Sequence, residues 1–408
     1  MGDILFLAHR VPFPPNRGDK IRAHHLLKNL ASIGAVHAGC FAESEEDRAG
    51  ESELETICAS HRVVNRTKPL VLAGAEAVLS GKPVSLTAFH SVKLESWVRE
   101  TIASRDIATV VIFSGQMGQY VPDDFDGRVI IDLCDVDSAK FEGYANAGER
   151  VWLNAREGRL LAQEEERLCK RADTTILISE NEASLFRDRL RSTADTNIAV
   201  LGNGIDSVFF DPAGIEANSA ISARPGPHFV FTGQMDYRPN EQAALWVIDN
   251  FLPAIRAVHP SAEFHVVGRN PTAKLLARKD EPGLAVHGEV PDVRPYIAAA
   301  DCVLAPLLIA RGVQNKVLEA MAMAKPVLAT PEAATGIPAT DGRDWMVCQA
   351  DAQAMIARLT QVIGDQTANS EMGRNAREFV LNHHSWDAML APLEAMVATN
   401  RPEARNAA

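Results

Sequence analysis

The segment 311–330 carries residue types that bind an anionic ligand. A short loop, Arg311–Gly312, leads into a predicted helix at Lys316–Met323. Free amides at a helix N-terminus, together with the Lys316 ammonium, favour a bound anion. Glu319, one turn further on, can accept hydrogen bonds from two hydroxyls of a sugar ring. The same spacing is also typical of a capped amphipathic helix with a solvated glutamate, and the residues alone leave both interpretations open.

A second basic segment, AHRVPFPPNRGDKIR, follows the predicted first strand. Its three prolines stiffen the loop, Gly18 gives the backbone freedom, and Asp19 can cap the helix that follows. Arg17, Lys20 and Arg22 make the segment basic. It is either an approach for an anion or a surface turn with solvated cations.

Three acidic residues, Asp132, Asp135 and Asp137, follow the predicted buried strand Val129–Ile131. Ligands of open α/β sheets bind at the carboxyl ends of strands, so these carboxylates are expected to line the mouth of a cleft. The alternative is a helix N-cap at Asp137 or Ser138.

Short β-branched runs alternate with segments of helical period, which predicts parallel sheets wound with helices. The pattern restarts in the second half, so we expect two α/β domains of similar size. The predicted strands are Ile4–Ala8, Ala35–Cys40, Val63–Val64, Thr109–Phe113, Val129–Ile131, Thr174–Ile178, Ile198–Leu201, His228–Thr232, Glu263–Val267, Leu284–His287, Cys302–Ala305, Pro326–Ala329 and Met346–Cys348. Helices are predicted at Lys20–Ala31, from about Ala147 to Arg171, and at Glu241–Val258.

Composition and charge argue against a nucleic-acid-binding, a secreted or a membrane-spanning protein. The 408 residues carry 41 Lys plus Arg against 53 Asp plus Glu, a net charge of −12, which argues against a nucleic-acid partner. The 6 cysteines are scattered, as expected for buried thiols in a reducing compartment. The N-terminus reads as a strand rather than a signal peptide, and no apolar stretch reaches the ~20 residues that span a bilayer. A cytoplasmic protein is expected.

Within segment 311–330, LEAMAMAKPVLAT closely resembles the donor-binding signature of glycosyltransferase family 4, a retaining family with the GT-B fold. Further segments resemble that family in the same order along nearly the whole chain. They are ILISENEASLF, LGNGIDSVFFDP, FTGQMDYRPN, FHVVGRNP, VHGEVPDVRPYIAAADCVLAPL and HHSWDAML. PFPPNRGDKIR and the DVDS segment resemble the type associated with PEP-CTERM/XrtA exopolysaccharide systems.

The resemblance implies a fold and a domain organisation. It implies two facing Rossmann-like, doubly wound domains with a C-terminal helix that crosses back to the first. The acceptor domain would be residues 1–196, completed by the helix 376–398. The donor domain would be residues 197–375, followed by a frayed tail at 399–408.

The resemblance also implies an activity. It is the transfer of a sugar from a nucleotide-sugar donor to a saccharide or lipid-linked saccharide acceptor in the synthesis of cell-surface glycans. No metal or other cofactor is expected. The protein would contact the inner face of the membrane peripherally.

The resemblance also implies which residues bind the donor, because single positions of the family's motifs can be matched to this sequence. Glu319 matches the glutamate that contacts the ribose, whereas Arg311 stands where the family has its first glutamate and could reach the diphosphate instead. Arg238 matches the first member of the family's basic pair, and Lys316 would supply the second charge. Gly18 and Arg17 in the first-strand loop, with Gly233 and Gly312, complete the predicted donor-binding residues.

The predicted acceptor-binding residues differ from those of the family at one position. Many members carry a histidine after the fourth strand of the first domain, where this chain has Ser114. We therefore expect Ser114 and Asp132 to contact the acceptor, and Asp135 to act with Arg238 and Lys316 in catalysis. A phosphate oxygen of the leaving group can take the acceptor proton, so no protein nucleophile is required.

The sequence alone is also compatible with two other functions. A non-hydrolysing nucleotide-sugar epimerase also has two such domains. A catalytically inactive GT-B partner subunit is suggested by Arg311 and Ser114 at positions where the family has other residues. A dinucleotide oxidoreductase is disfavoured because no GxGxxG follows Ile4–Ala8.

Overall fold

Strands alternate with helices along the chain in the computed structural model, which describes residues 2–310 and 312–398. The chain divides into two units, Met1–Asn203 with Met389–Ala408, and Gly204–Ala388. The predicted tail at 399–408 lies outside the described residues.

The first unit is built on a parallel sheet of seven strands in the order β3-β2-β1-β4-β5-β6-β7. These strands are β1 Asp3–Ala8, β2 Val36–Ala42, β3 Ser60–Asn65, β4 Ile107–Phe113, β5 Arg128–Cys134, β6 Thr174–Leu177 and β7 Ile198–Val200. The order reverses between β1 and β4, and open α/β sheets bind ligands at the carboxyl ends of strands beside such a reversal.

Helices connect these strands. They are α1 Gly18–Ile33, α2 Glu45–Ala49, α3 Glu51–Ile57, α4 Leu70–Ser80, α5 Val84–Ala88, α6 Val92–Ser104, α7 Asp137–Asn146, α8 Val151–Arg171 and α9 Glu180–Arg189. A 3₁₀ turn occupies Gly115–Tyr120. The long helix predicted from about Ala147 begins only at Val151, because Gly148 and Arg150 adopt positive φ angles of 84° and 38° and end the preceding helix.

The second unit is built on a parallel sheet of six strands in the order β10-β9-β8-β11-β12-β13. These strands are β8 His228–Thr232, β9 Glu263–Val267, β10 Leu284–Gly288, β11 Cys302–Ala305, β12 Val327–Ala329 and β13 Met346–Val347. Every strand predicted from the sequence is present, with ends that shift by a few residues. This order reverses between β8 and β11.

The helices of the second unit follow the same alternation. They are α10 Ser219–Ser222, α11 Arg238–Trp246, α12 Leu252–Val258, α13 Ala273–Leu276, α14 Arg294–Ala299, α15 Asn315–Ala322, α16 Ala352–Ile363 and α17 Gln366–His383, with α18 Trp386–Ala398 running on into the first unit. The single helix predicted over Glu241–Val258 is interrupted by a π-helical turn at Val247–Phe251. Pro253, which has no N–H to donate, lies just after this turn.

The division between the units differs from the predicted one at residue 196. β7 pairs with β6, so residues up to Asn203 belong to the first sheet and the contacts around it. The predicted C-terminal helix 376–398 is two helices, because α17 ends at His383. Arg377 donates to the Ala322 carbonyl at 2.5 Å and to the Phe210 carbonyl at 3.1 Å, which holds α17 in the second unit.

A buried ion pair connects three parts of the first unit. Arg22 on α1 is only 2% exposed, and its Nε donates to Asp132 Oδ2 on β5 at 2.7 Å. The same guanidinium donates to the Leu201 carbonyl at 2.8 Å, the Gly202 carbonyl at 3.2 Å and Asn203 Oδ1 at 3.0 Å. Arg22 therefore joins α1, β5 and the segment after β7.

Replacing this arginine should destabilise the first unit strongly. Arg22→Met leaves Asp132 buried without its partner, and we expect the free energy of unfolding to fall by about 3–5 kcal/mol. Chemical denaturation followed by circular dichroism measures the change. Arg99→Met, at a residue 60% exposed, is the matched control and should change stability by about 0.5 kcal/mol or less. Equal stability of the two variants would show that Arg22 does not hold the fold.

Candidate functional site

A cavity of about 570 Å³ lies at the carboxyl edge of the second sheet. β8 and β9 end at its wall, and the N-terminus of α15 closes another side, next to the reversal in strand order. The cavity is lined by Thr232, Gly233, Gln234, Asn240, Val267, Gly268, Arg269, Glu289, Val290, Val293, Val313, Asn315, Lys316 and Glu319. Its volume suits a ligand of a few hundred daltons.

Two glycines let the loops after β8 and β9 approach each other in the cavity wall. Gly233 and Gly268 have φ angles of 149° and 150°, in a region that residues with side chains rarely adopt. A Cβ placed on Gly268 would lie 1.7 Å from the carbonyl oxygen of Gly233. Backbone, rather than side chains, therefore forms this part of the wall.

Lys316 supplies a partly desolvated positive charge. Its Nζ donates to Asn240 Oδ1 and lies 4.5 Å from the centroid of the Phe231 ring. Burial lowers the pKa of Lys316 to about 8, and the Glu319 carboxylate partly opposes that shift. A bound anion would stabilise the ammonium form, so this site is poised to bind negative charge.

Glu319 lies in the same wall, three residues further along α15. Burial raises the pKa of Glu319, while the nearby Lys316 ammonium lowers it. Arg269 adds a second cation, held by Gln234 Oε1, which accepts from Arg269 Nη2 at 2.7 Å. Two cations, a carboxylate and the amides at the start of an eight-residue helix match a ligand that combines an anionic group with hydroxyls.

The structure brings together only some of the predicted donor residues. Gly233, Lys316 and Glu319 line one cavity. Arg238, the first residue of α11, is exposed and is not among the lining residues. Gly312 precedes the lining residue Val313 and is exposed, and Arg311 lies outside the described residues.

The cations of the basic segment after β1 form ion pairs within the first unit. Lys20 is 3% exposed and pairs with Asp47 at 2.6 Å, and Arg22 is the buried anchor described above. Arg17 is exposed and pairs with Asp19 at 2.8 Å. Gly18 begins α1 without a positive φ, and a Cβ there would meet open space, so its expected backbone freedom is not used.

The predicted acceptor residues follow β4 and β5. Asp132 is fully buried, and its oxygens accept from Arg22 Nε and from the Cys134 amide. This corrects the acceptor-binding role expected for Asp132, which instead anchors the fold. Ser114, whose φ is 77°, donates its hydroxyl to Gln116 Oε1 at 2.7 Å.

Asp135 is exposed at the mouth of a small cavity of about 20 Å³ that is also lined by Gln116, Asp137 and Glu165. Burial raises the pKa of Asp137. It also raises the pKa of Glu165 to about 7, although that carboxylate accepts hydrogen bonds from the Ser138 amide and hydroxyl. Asp135 and Ser114 therefore stand at one edge of the first sheet, where β4 and β5 are neighbours.

The sequence reasoning missed His9, Asn240 and Arg269. His9 follows β1 directly, is 6% exposed, and has a buried Nδ1 without a hydrogen-bond partner among the described residues. Its Nε2 lies 3.2 Å from Asp19 Oδ2. The rule that ligands bind after strands identifies both His9 and Arg269, whereas Asn240 is recognised only from its contact with Lys316.

Comparison with known proteins agrees with this geometry. Residues 226–365, which contain the whole cavity, match the family described as "Glycosyl transferases group 1". The match covers most of the second unit, so this unit is similar to a group 1 glycosyltransferase domain. The prediction that the chain is a glycosyltransferase is thereby confirmed. No curated protein matches the sequence.

Solved structures show the fold of the whole glycosyltransferase. A HepE structure from Anabaena in complex with UDP aligns with a TM-score of 0.60 at 15% identity, over 97% of this chain and 99% of that one. Sucrose-phosphate synthase from Thermosynechococcus elongatus gives 0.55 at 16% identity, over 97% and 98% of the two chains. A glycosyltransferase from Rickettsia africae gives 0.60 at 13% identity, over 98% and 99%. The predicted GT-B fold, with two Rossmann-like domains, is confirmed.

Across residues 2–310 and 312–398, no helix combines the length and the apolar character needed to cross a bilayer.

The glycine contact in the cavity wall can be tested on its own. Gly268→Ala forces a side chain against the Gly233 carbonyl, so we expect a loss of at least about 1–3 kcal/mol in unfolding free energy. Gly288→Ala is the matched control, because Gly288 also has a positive φ, of 69°, but open space around its Cβ position. Thermal unfolding should show the larger loss for Gly268→Ala, and equal losses would mean that the contact is not tight.

Proposed function

We propose that this glycosyltransferase is a retaining, metal-independent enzyme of the family 4 type. It transfers a sugar from a nucleotide-sugar donor to a saccharide or lipid-linked saccharide acceptor during synthesis of a cell-surface polysaccharide. The observation that carries the proposal is the cavity of the second unit, where Lys316, Arg269 and Glu319 converge at the carboxyl edge of the sheet. The titles of similar structures add support, since HepE was solved with UDP and with UDP-glucose.

Donor binding divides among three parts of the cavity. Lys316 and the first amides of α15 hold the diphosphate, since both offer positive charge at the same place. Glu319 accepts the ribose hydroxyls through charge-assisted hydrogen bonds. Arg269 takes the cationic position that the sequence suggested for Arg238, the first member of the basic pair, because Arg269 lines the cavity.

The reaction needs stabilisation of the leaving group more than a protein nucleophile. As the glycosidic bond breaks, negative charge grows on the leaving diphosphate, and a pre-positioned ammonium favours that state over the ground state. A phosphate oxygen accepts the proton of the acceptor hydroxyl, and the new bond forms on the face that the diphosphate leaves. Lys316 and Arg269 would stabilise the negative charge of the leaving group, as a divalent metal ion does in metal-dependent enzymes.

The acceptor would bind at the edge of the first sheet that carries Ser114 and Asp135. Ser114 and Cys134 have positive φ angles of 77° and 63° at the ends of neighbouring strands, and strained positions of this kind are common at functional sites. His9 follows β1, which pairs with β4. Its Nδ1 has no hydrogen-bond partner in the described part of the chain and is a further candidate contact.

Peripheral contact with an anionic membrane is supported by α4. This helix exposes an unusual amount of apolar surface: Leu70 65%, Val71 83%, Leu72 61%, Val78 55% and Leu79 89%. Lys68 precedes the helix and Lys82 follows it. Exposed apolar side chains flanked by cations suit an interface with negatively charged lipid.

A transfer assay tests the proposed function. The full chain is incubated with radiolabelled UDP-, GDP- and ADP-sugars without added Mg²⁺ or Mn²⁺, and we expect slow hydrolysis or transfer with retention of the anomeric configuration. Added Mn²⁺ should not raise the rate. Interconversion of the sugar would indicate an epimerase, and binding without turnover an inactive relative.

Replacing Lys316 tests, in the same assay, whether its ammonium stabilises the leaving group. Lys316→Ala removes a charged donor to the leaving group, so we expect kcat to fall by about 10²–10³. Since Lys316 is protonated below its pKa of about 8, kcat/KM for the donor should fall as the pH rises past that value. Lys316→Arg should move this limb to higher pH.

Lys274→Ala is the matched control, because Lys274 is 73% exposed and its ion pair is with Glu241. It should keep both the rate and the pH profile of the unaltered enzyme. A folded Lys316→Ala variant with normal kcat would place the diphosphate elsewhere.

The membrane contact has its own measurement, co-sedimentation with vesicles of anionic phospholipid. Replacing Leu72 and Leu79 by serine removes roughly 3 kcal/mol of apolar transfer free energy. The vesicle-bound fraction should therefore correspond to a partition coefficient lower by about 100-fold. Val208→Ser, at a residue 85% exposed in the second unit, should bind like the unaltered chain, and equal binding of all three proteins would exclude α4 as the contact.

A further inference from the structure

Three side chains with metal-binding atoms meet at the other edge of the second sheet, where β8 and β9 begin. His228 is the first residue of β8, and Glu263 and His265 lie at the start of β9. The register pairs His228 with Glu263 and Val230 with His265. Because side chains alternate between the faces of a sheet, the register places all three on one face.

The three potential ligand atoms form a nearly equilateral triangle. His228 Nδ1 lies 3.2 Å from His265 Nε2, and Glu263 Oε2 lies 3.6 Å and 3.5 Å from these nitrogens. Zinc binds nitrogen and oxygen ligands at about 2.0–2.2 Å, so neighbouring ligands of a tetrahedral ion are about 3.3–3.5 Å apart. The triangle fits one face of such a tetrahedron.

Hydrogen bonds orient lone pairs into this triangle. His228 Nε2 lies 3.0 Å from the Arg224 carbonyl, which can only accept, so Nε2 carries the proton and Nδ1 offers a lone pair. Glu263 Oε2 is buried without a hydrogen-bond partner among the described residues. Arg224 Nη1 lies 3.1 Å from the other oxygen, Oε1, and fixes the carboxylate.

We propose that His228, His265 and Glu263 form a zinc site, with water in the fourth position. His287 supports it from outside, because its Nε2 lies 3.2 Å from His265 Nδ1 and can accept that proton. Borderline imidazole ligands with one carboxylate select zinc over Mg²⁺, which prefers six oxygen ligands.

Burial of the cluster agrees with a metal ligand set. His265 is fully buried and His228 is 5% exposed in its side chain.

The site lies at the amino ends of β8 and β9, whereas the donor cavity lies at their carboxyl ends. The zinc ion therefore cross-links the neighbouring strands β8 and β9, and it takes no part in sugar transfer. The proposal is independent of the proposed function, since it concerns stability and metal content rather than turnover.

Metal titration of the full chain is the first test. After removal of metal by a chelator and dialysis, isothermal titration calorimetry with Zn²⁺ should show one equivalent bound. Zn²⁺ should also raise the thermal unfolding temperature of the metal-free chain, because it binds the folded state. Mg²⁺ should do neither. A chain that binds no stoichiometric Zn²⁺ overturns the proposal and leaves a hydrogen-bonded row of imidazoles.

Variants locate the bound ion. Glu263→Gln, at a side chain 19% exposed, keeps the shape and should weaken zinc binding by more than the about 10–100-fold expected for His287→Gln, which loses an outer contact. His383→Gln, at an exposed histidine of the same unit, should bind like the unaltered chain. Equal affinity of all three variants places the ion elsewhere and rejects the assignment.

Discussion

The first unit depends on the buried guanidinium of Arg22, because this group pairs with the Asp132 carboxylate on β5 and also donates hydrogen bonds to the Leu201 and Gly202 carbonyls after β7. An uncompensated charge in such a place costs several kcal/mol, so neither Arg22 nor Asp132 can change alone. Both residues also lie in segments that look functional in the sequence. The structure shows that a basic loop and an acidic strand end can serve each other rather than a ligand.

The candidate site of the second unit contains a charge that is compensated only in part. In the second unit, Lys316 is held by an amide and an aromatic face, neither of which neutralises it. Burial of the ammonium therefore lowers the pKa of Lys316 to about 8, and any negative charge bound beside it would offset that cost.

Local patterns predicted the elements well and the contacts between them poorly. Buried parallel strands are continuous apolar runs, so β8 and β9 could be delimited from the sequence to the residue. Lys316 and Glu319 were found because they share one helix. The roles of Lys20, Arg22 and Asp132 were not predicted, because their partners lie 27 to 181 positions away. The meeting of His228 with Glu263 and His265 depends on strand register, which periodicity does not reveal.

The end of the helix α18 completes the first unit only after the second unit has been synthesised. Residues from Met389 onward belong to the first unit although the whole second unit precedes them, and the Met396 carbonyl accepts from Arg128 on β5 at 3.1 Å. Leu390 and Leu393 are nearly fully buried there. While the chain emerges from the ribosome, the first unit must wait for the second to be translated before this apolar patch is covered. Chaperone contact and premature proteolysis should therefore concentrate on that patch during translation.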